Sequence, residues 1–292
     1  MNAFALETLT SRPVAECTAA EVAAALGRAF AGYIVPLNFT AEAYERRFRA
    51  EDLDPYVSRV YEWEGGERDG APAGVMLIAR RGWNSRIAAM GLAPELRGGG
   101  VGRRVLGETI AEARARGERT MVLEVIEGNA PAVALYTKLG FRPRRRLVGY
   151  RWEIQIPEPS DPLEEIDPLD FARIVAREGE PDLPWMLTAE TLSSFAPPSR
   201  AFRLEDRAFA MVGDPAAERL ALTALVVARD HRRQGWGTRL LSALCETFAG
   251  RPWAISPIVP EGLAAGFFLR LGWERQPLCQ WEMVLDLVPS AP

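Results

Sequence analysis

The chain has 292 residues, 48% hydrophobic and 25% charged, the composition of a globular protein of about two domains and not of a disordered segment. With 35 basic and 39 acidic residues the net charge is −4, so overall charge lends nothing to a nucleic-acid partner. One histidine, His231, and three scattered cysteines, Cys17, Cys245 and Cys279, exclude a metal site built from several histidines and give no disulfide or zinc spacing.

The N-terminal "MNAFALETLTSRP" has neither a basic start nor a continuous apolar run, so no signal peptide is expected. Apolar runs such as "GVMLIA" and "LTALVVA" fall far below the roughly 18 residues of a membrane span. A cytoplasmic protein with reduced thiols and no membrane or nucleic-acid partner is therefore expected.

"RIAAMGLAP" predicts a buried strand ended by Pro94. From Val101 the apolar residues Val101, Val105, Leu106, Ile110 and Ala111 recur at helical spacing, and Gly117 stands where a C-cap glycine belongs. Arg97, Gly98, Gly99, Gly100, Val101, Gly102 and Arg103 thus lie at a strand–loop–helix junction. The helix's first N–H groups lack internal partners there, and absent side chains let a phosphate approach, with Arg97 and Arg103 adding positive charge. A P-loop is excluded because no Lys-Ser or Lys-Thr pair follows, and the spacing R-x-x-G-x-G is not the dinucleotide fingerprint. A solvated glycine turn would use the same residues, so the loop alone decides nothing.

"RTMVLEVIEGNAPAVALYTKLGFRP" predicts a strand over Met121–Ile126, an N-cap at Asn129, Pro131 in the first helical turn and a stop at Gly140. Loop and segment together resemble the GNAT superfamily of N-acetyltransferases. The family's R/Q-x-x-G-x-G/A loop is matched at Arg97, Gly100 and Gly102. Its N-x-x-A-x-x-L-Y-x-x-x-G-F segment is matched at Asn129, Ala132, Leu135, Tyr136, Gly140 and Phe141. Leu123-Glu124-Val125 before the asparagine is most similar to the ribosomal-protein alanine N-acetyltransferase branch.

The resemblance implies acetyl-CoA as acyl donor, lying where two neighbouring strands splay. It implies pyrophosphate on the amides of Gly98 to Arg103, and a pantetheine arm on the backbone of Met90, Gly91 and Leu92 and on Asn129. Glu124 would take a proton from the acceptor amine, and Tyr136 would protonate the departing thiolate. Taken singly, Tyr136 could be a core tyrosine, Glu124 a salt-bridged strand carboxylate and Asn129 a helix cap; their joint occurrence beside the loop supports chemistry. No metal is called for. The acceptor is shaped in this family by the segment before the first cofactor strand, here roughly residues 30–54, whose Glu51, Asp52 and Asp54 could attract a cation or form a solvated turn.

The pattern then repeats. In "LTALVVARDHRRQGWGTRLLSALCETFAG", Arg232, Gly235 and Gly237 match Arg97, Gly100 and Gly102 at an offset of 135, a second candidate phosphate loop. "EGLAAGFFLRLGWERQ" echoes the helix segment at an offset of 132, and "YRWEIQI" and "CQWEMVL" close the two copies. In the second copy Phe268 replaces Tyr136, Ser256 replaces Glu124 and Glu261 replaces Asn129, so its acid and base are missing. The expected fold class is α/β: two tandem GNAT domains, each a twisted mixed sheet flanked by helices. Residues 1–156 would be the catalytic domain, 157–165 a proline- and acid-rich linker, and 166–292 a non-catalytic GNAT-like domain. The expected function is direct acetyl transfer to a primary amine of a small molecule or peptide. The competing expectation is a non-catalytic acyl-CoA-binding or sensor protein; a third has the second domain active with other residues.

Overall fold

The computed structural model describes residues 9–35, 39–153 and 161–288. They fall into two compact units: one takes the chain to Arg144 and again from Trp281, the other is Arg145–Gln280. In chain order the elements begin with β1 (Leu9–Pro13), α1 (Ala19–Ala29), α2 (Ala41–Glu51), β2 (Arg59–Trp63), β3 (Pro72–Arg81) and β4 (Asn84–Leu92). They continue with α3 (Val101–Ala115), β5 (Thr120–Ile126), α4 (Ala130–Lys138), β6 (Arg142–Trp152), β7 (Glu164–Ile166), α5 (Pro168–Glu178) and α6 (Ala189–Leu192). Then follow β8 (Arg200–Leu204), β9 (Ala208–Val212), β10 (Leu220–Val227), α7 (Trp236–Thr247), β11 (Trp253–Pro260), α8 (Ala265–Arg270) and β12 (Glu274–Asp286).

In the first unit the strand order is β1-β2-β3-β4-β5-β12. β1 to β4 are antiparallel neighbours, while β4 and β5, joined through α3, are parallel. α3 and α4 bury Val101, Val105, Leu106, Ile110 and Tyr136 with Met121, Leu123 and Val125 of β5 and Met283 and Leu285 of β12. Alternate residues of a strand face opposite ways, so Val122 and Glu124 turn to the other face. α1 packs there against β3 and β4, and Thr18 starts it with a reciprocal capping box to Glu21.

The second unit repeats the plan in the order β6-β11-β10-β9-β8-β7, again with one parallel pair, β10 and β11. α7 buries Trp236, Leu240, Leu241 and Leu244 with Phe268, Trp273 and Trp253. The mixed sheets flanked by helices agree with the expected fold class.

The boundaries differ from those of a simple tandem repeat. The expected linker, 157–165, lies outside the described residues up to 160, and Glu164 and Glu165 already belong to β7. The closing strand of the second copy serves the first unit: from Trp281 onward β12 supplies Met283 and Leu285 to the N-terminal core, and Leu287 just after it joins them. A strand of 13 residues, about 43 Å at ~3.3 Å per residue, is long enough to belong to one unit at its start and the other at its end. No helix among the described residues is long and apolar enough to cross a membrane.

Candidate active site

The site begins with one extra residue. β3 and β4 pair in register from Arg81↔Asn84 to Ile78↔Ile87, and then Leu77 faces Ala89, so Ala88 bulges out of β4. The parallel pairing of β4 with β5 stops at the same place, with Ile87↔Leu123 as its last pair. Beyond it Ala88–Leu92 and Glu124–Ile126 part company, because a bulge bends its strand away from its neighbour. The second unit has the same device: Thr223 is the extra residue between Leu222↔Val212 and Ala224↔Met211, and pairing with β11 ends at Ala221↔Ala254. The bulges share the 135-residue offset of the glycine loops.

The glycine loop joins the splayed end of β4 to α3. Gly98 and Gly100 have φ of +78° and +85°, and Gly100 is the N-cap of α3. That left-handed geometry is why glycine stands there. A Cβ on Gly98, Gly99 or Gly100 would meet nothing within 4 Å, so the space over the first amides of α3 is open. Gly102 instead faces Leu135, Met90 and Leu92, where a Cβ would lie 3.5 to 3.7 Å from their side chains, which sets α3 against β4 and α4. Gly91 is needed on the other face, where a Cβ would fall 2.9 Å from Cβ of Ala29.

Arg97 has a task besides adding charge to the loop. Its Nε donates to the Leu92 carbonyl (3.0 Å), and its Nη2 to the carbonyls of Ala29 (3.0 Å) and Ala31 (3.1 Å). Arg232 repeats this, donating to the Val227 carbonyl (3.2 Å), to that of Glu178 and to the Glu180 carboxylate. The motif arginine thus staples the strand end to the C-terminal end of α1 in the first unit and of α5 in the second. Arg103 is exposed on the first turn of α3.

Glu124 is the first residue of β5 beyond the paired stretch. Arg86 of β4 donates from Nε to its Oε2 (2.8 Å) and from Nη1 to Glu51 Oε2 at the end of α2 (2.5 Å). Arg47 of α2 also pairs with Glu51, and its Nη2 donates to the Ala88 carbonyl (2.5 Å), the group left over at the bulge. Glu124 Oε1 is buried and has no hydrogen-bond partner among the described residues. Burial pushes the Glu124 carboxyl above its ordinary range; Arg86 opposes the rise, and the charges of Glu282 and Glu51 add to it. Against the same push of burial, Arg86 and Arg47 hold Glu51 below its ordinary range. Asp52 pairs with Arg81 (2.5 Å) and Asp54 with Arg80 (2.8 Å), so Glu51, Asp52 and Asp54 are all neutralised within the protein.

Asn129 caps α4, its side chain accepting from the Ala132 amide (3.4 Å). Tyr33, just after α1, lies near Asn129, whose side chain opposes the upward push of burial on the Tyr33 phenol. Tyr136 is buried with its ring edge-on to Phe141 at 5.8 Å, and burial first, then Tyr33, pushes its phenol above the ordinary range. It therefore stays protonated at neutral pH. Tyr136 packs on the α3 and α4 face and Glu124 stands on the α1 and α2 face, so the two flank the splay from opposite sides. Arg86, Arg47 and Tyr33 were not singled out in the sequence; Arg47 has a local partner in Glu51, but Arg86 meets Glu51, Arg47 meets Ala88 and Tyr33 nears Asn129 only across 35, 41 and 96 residues.

In the second unit Gly235 caps α7 at φ +87° and Arg233 takes the left-handed place of Gly98 at +63°. Ser256 is exposed, and Glu261 pairs with Arg146 (3.0 Å) and Arg275 (2.6 Å) instead of capping a helix. α8 starts only at Ala265, and Phe268 is buried against Tyr150 and Trp273.

A model of the acetyltransferase (GNAT) family matches residues 34–141 and 182–273. Over 93 residues the chain is 37% identical to the streptothricin acetyltransferase of Streptomyces lavendulae, covering 31% of this chain and 47% of that protein, so it spans about half of that relative. It is 38% identical over 114 residues to an IAA acetyltransferase of Azospirillum brasilense, covering 32% of this chain and 74% of the relative. Among solved structures, a tandem GNAT protein from the clavulanic acid biosynthesis pathway superposes with a TM-score of 0.62 at 16% identity, covering 97% of this chain and all of that one.

Proposed function

This chain belongs to the acetyltransferase (GNAT) family, its two matched stretches covering more than half its length, and from that premise we propose that its first unit transfers an acetyl group from acetyl-CoA to a primary amine. The observation that carries this is the coincidence, at one splay, of the Ala88 bulge, the open amides of α3, the partly unpartnered carboxylate of Glu124 and the protonated phenol of Tyr136. The residues fit the donor: three consecutive glycines whose Cβ positions are open leave room for phosphates at the N-terminus of a 15-residue helix. When bound, the donor supplies an activated thioester.

The remaining steps belong to the chain's own side chains. Loop amides of Gly98 to Arg103 hold the pyrophosphate, and the backbone of Met90, Gly91 and Leu92 and the Asn129 side chain orient the pantetheine arm. Glu124 accepts a proton, directly or through water, from an ammonium that is otherwise charged at neutral pH. Tyr136 donates its proton to the leaving sulfur. The second unit keeps a phosphate-type loop at Arg232, Gly235 and Gly237 without base or acid, and is assigned a non-catalytic role. The resemblance to the ribosomal-protein alanine branch rests on cofactor-side motifs alone, and no acceptor is taken from it. The test is an acetyl-CoA turnover screen, read as free thiol, across polyamines, aminoglycosides, amino acids and peptides. Amine-dependent thiol release that disappears in Glu124→Gln and Gly100→Asp supports the assignment; donor binding with no turnover on any amine would favour a sensor.

A further inference from the structure

Within the first unit, Arg86 is the one described cation that touches both Glu124 and the α2 helix. It is buried, and its fork is divided: Nε goes to Glu124 and Nη1 to Glu51. An arginine facing a lone carboxylate tends to take both of its oxygens in a parallel pair. Here Glu51 draws Nη1 away, so only Oε2 of Glu124 is held and Oε1 is left without a partner among the described residues. Glu51 is fixed in turn by Arg47, which also holds the bulge carbonyl of Ala88.

We propose that Arg86 is the positioning residue of the base, holding one oxygen of Glu124 so that the other, though buried, is left without a hydrogen-bond partner, with Glu51 on α2 as its counterweight. The proposal rests on the assignment of Glu124 as base. It ties the acceptor-side helix α2 to the base through one guanidinium. The charged groups around Glu124 are Arg86 from β4, Glu51 and Arg47 from α2, and Glu282 from β12, itself beside Arg144 at 3.9 Å. Only Arg86 and Arg47 of that set lower the cost of ionising the α2–β5 carboxylates, and only Arg86 bonds Glu124 directly.

Two substitutions should move the Glu124 titration in opposite directions. Glu51→Gln keeps the shape and removes a like charge, leaving all of Arg86 to Glu124, so the titration should fall. Arg86→Lys keeps a charge but replaces the planar fork by a single ammonium on a shorter stem, which weakens its hold on Glu124, so the titration should rise, each by about one pH unit, within the range for a charge a few ångströms away. Arg86→Gln removes the cation that bonds the buried Glu124 and leaves Glu51 to Arg47, and is expected to threaten folding, so these two variants carry the test.

The readout is the protonated-carboxyl stretch in infrared difference spectra of the full chain with carboxyl-labelled glutamate, followed against pH, the Glu124 band being the one lost in Glu124→Gln. The upward shift in Arg86→Lys is decisive, because mere loosening of the core would admit water and lower the titration in both variants. A fall or no change in Arg86→Lys overturns the proposal. The base assignment fails separately, if Glu124→Gln retains wild-type amine-dependent thiol release.

Discussion

Gly100→Asp separates the phosphate loop from its backbone role. Gly100 is the N-cap of α3 at φ +85° and ψ −7°, so any other residue there adopts the left-handed conformation, at a cost of about 1–2 kcal/mol, aspartate being among the more tolerant. No steric cost adds to this, since a Cβ there meets nothing within 4 Å. An aspartate N-cap whose oxygen accepts from the first amides of α3, where the dipole favours an anion, recovers about 0.3–1 kcal/mol. The net destabilisation is about 1 kcal/mol, a Tm loss of roughly 2–4 °C for a domain of this size. The effect on binding is much larger. A carboxylate about 4 Å from a bound phosphate costs ~4 kcal/mol at an effective dielectric constant of 20, or about 10³-fold in affinity. Gly100→Ala carries the same backbone strain without the charge and should lose no more than about tenfold. Both are measured by titration calorimetry of the full chain with acetyl-CoA, in a Gly235→Asp background that silences the second loop, alongside thermal melts. A folded Gly100→Asp protein binding with unchanged affinity would remove this loop from the phosphate site.

Tyr136→Phe keeps the ring against Phe141 and should leave the melting curve and acetyl-CoA affinity unchanged while kcat falls about 10²-fold; a wild-type kcat with chemistry rate-limiting excludes the phenol from the reaction. Because burial raises the Glu124 carboxyl above its ordinary range and the base works ionised, kcat/KM should fall as pH drops through a value above ~4.3, and Glu124→Gln should abolish that limb together with most of the activity. Gly235→Asp alone should leave turnover at the first site near wild type; activity lost there and kept in Gly100→Asp would make the second unit the enzyme. Met283 is fully buried in the N-terminal core although it lies 160 residues beyond Leu123 of the same cluster, so Met283→Ala should cost about 2–5 kcal/mol in denaturant melts. By the same logic a chain stopped at Gln280 should lose acetyl-CoA binding at the first loop, whereas full binding by that truncation would show β12 to be dispensable.

Much of the site was legible from residues that act within a turn or two of themselves. The left-handed glycines at 98 and 100, the cap at Asn129, the C-terminal glycines at 117 and 140 and the strand before each helix are local choices of backbone conformation, and all appear where their residue types require. The repeat was legible for the same reason, since each copy carries its own loop and helix, and the missing phenol at Phe268 could be read directly. Other expectations met the limit of local information. Arg97 was counted as charge for the loop, and its bonds to three carbonyls, two of them more than 65 residues away, could not be read from its neighbours. The acids at 51, 52 and 54 read as an open acidic turn, and each has an arginine partner.

The sequence by itself therefore determined the family's motifs, the elements that bear them and the inequality of the two copies, because glycine conformation, capping and hydrophobic period are set by neighbours in the chain. The tertiary structure alone decided that Ala88 bulges, that Arg86 joins Glu124 to Glu51, that Tyr33 reaches Asn129 and that β12 ends in the first unit. Those are pairings between residues from 35 to more than 150 positions apart, and which charge meets which, or which strand fills which edge, is settled only when the sheet closes and each buried group takes the partner that geometry puts within reach.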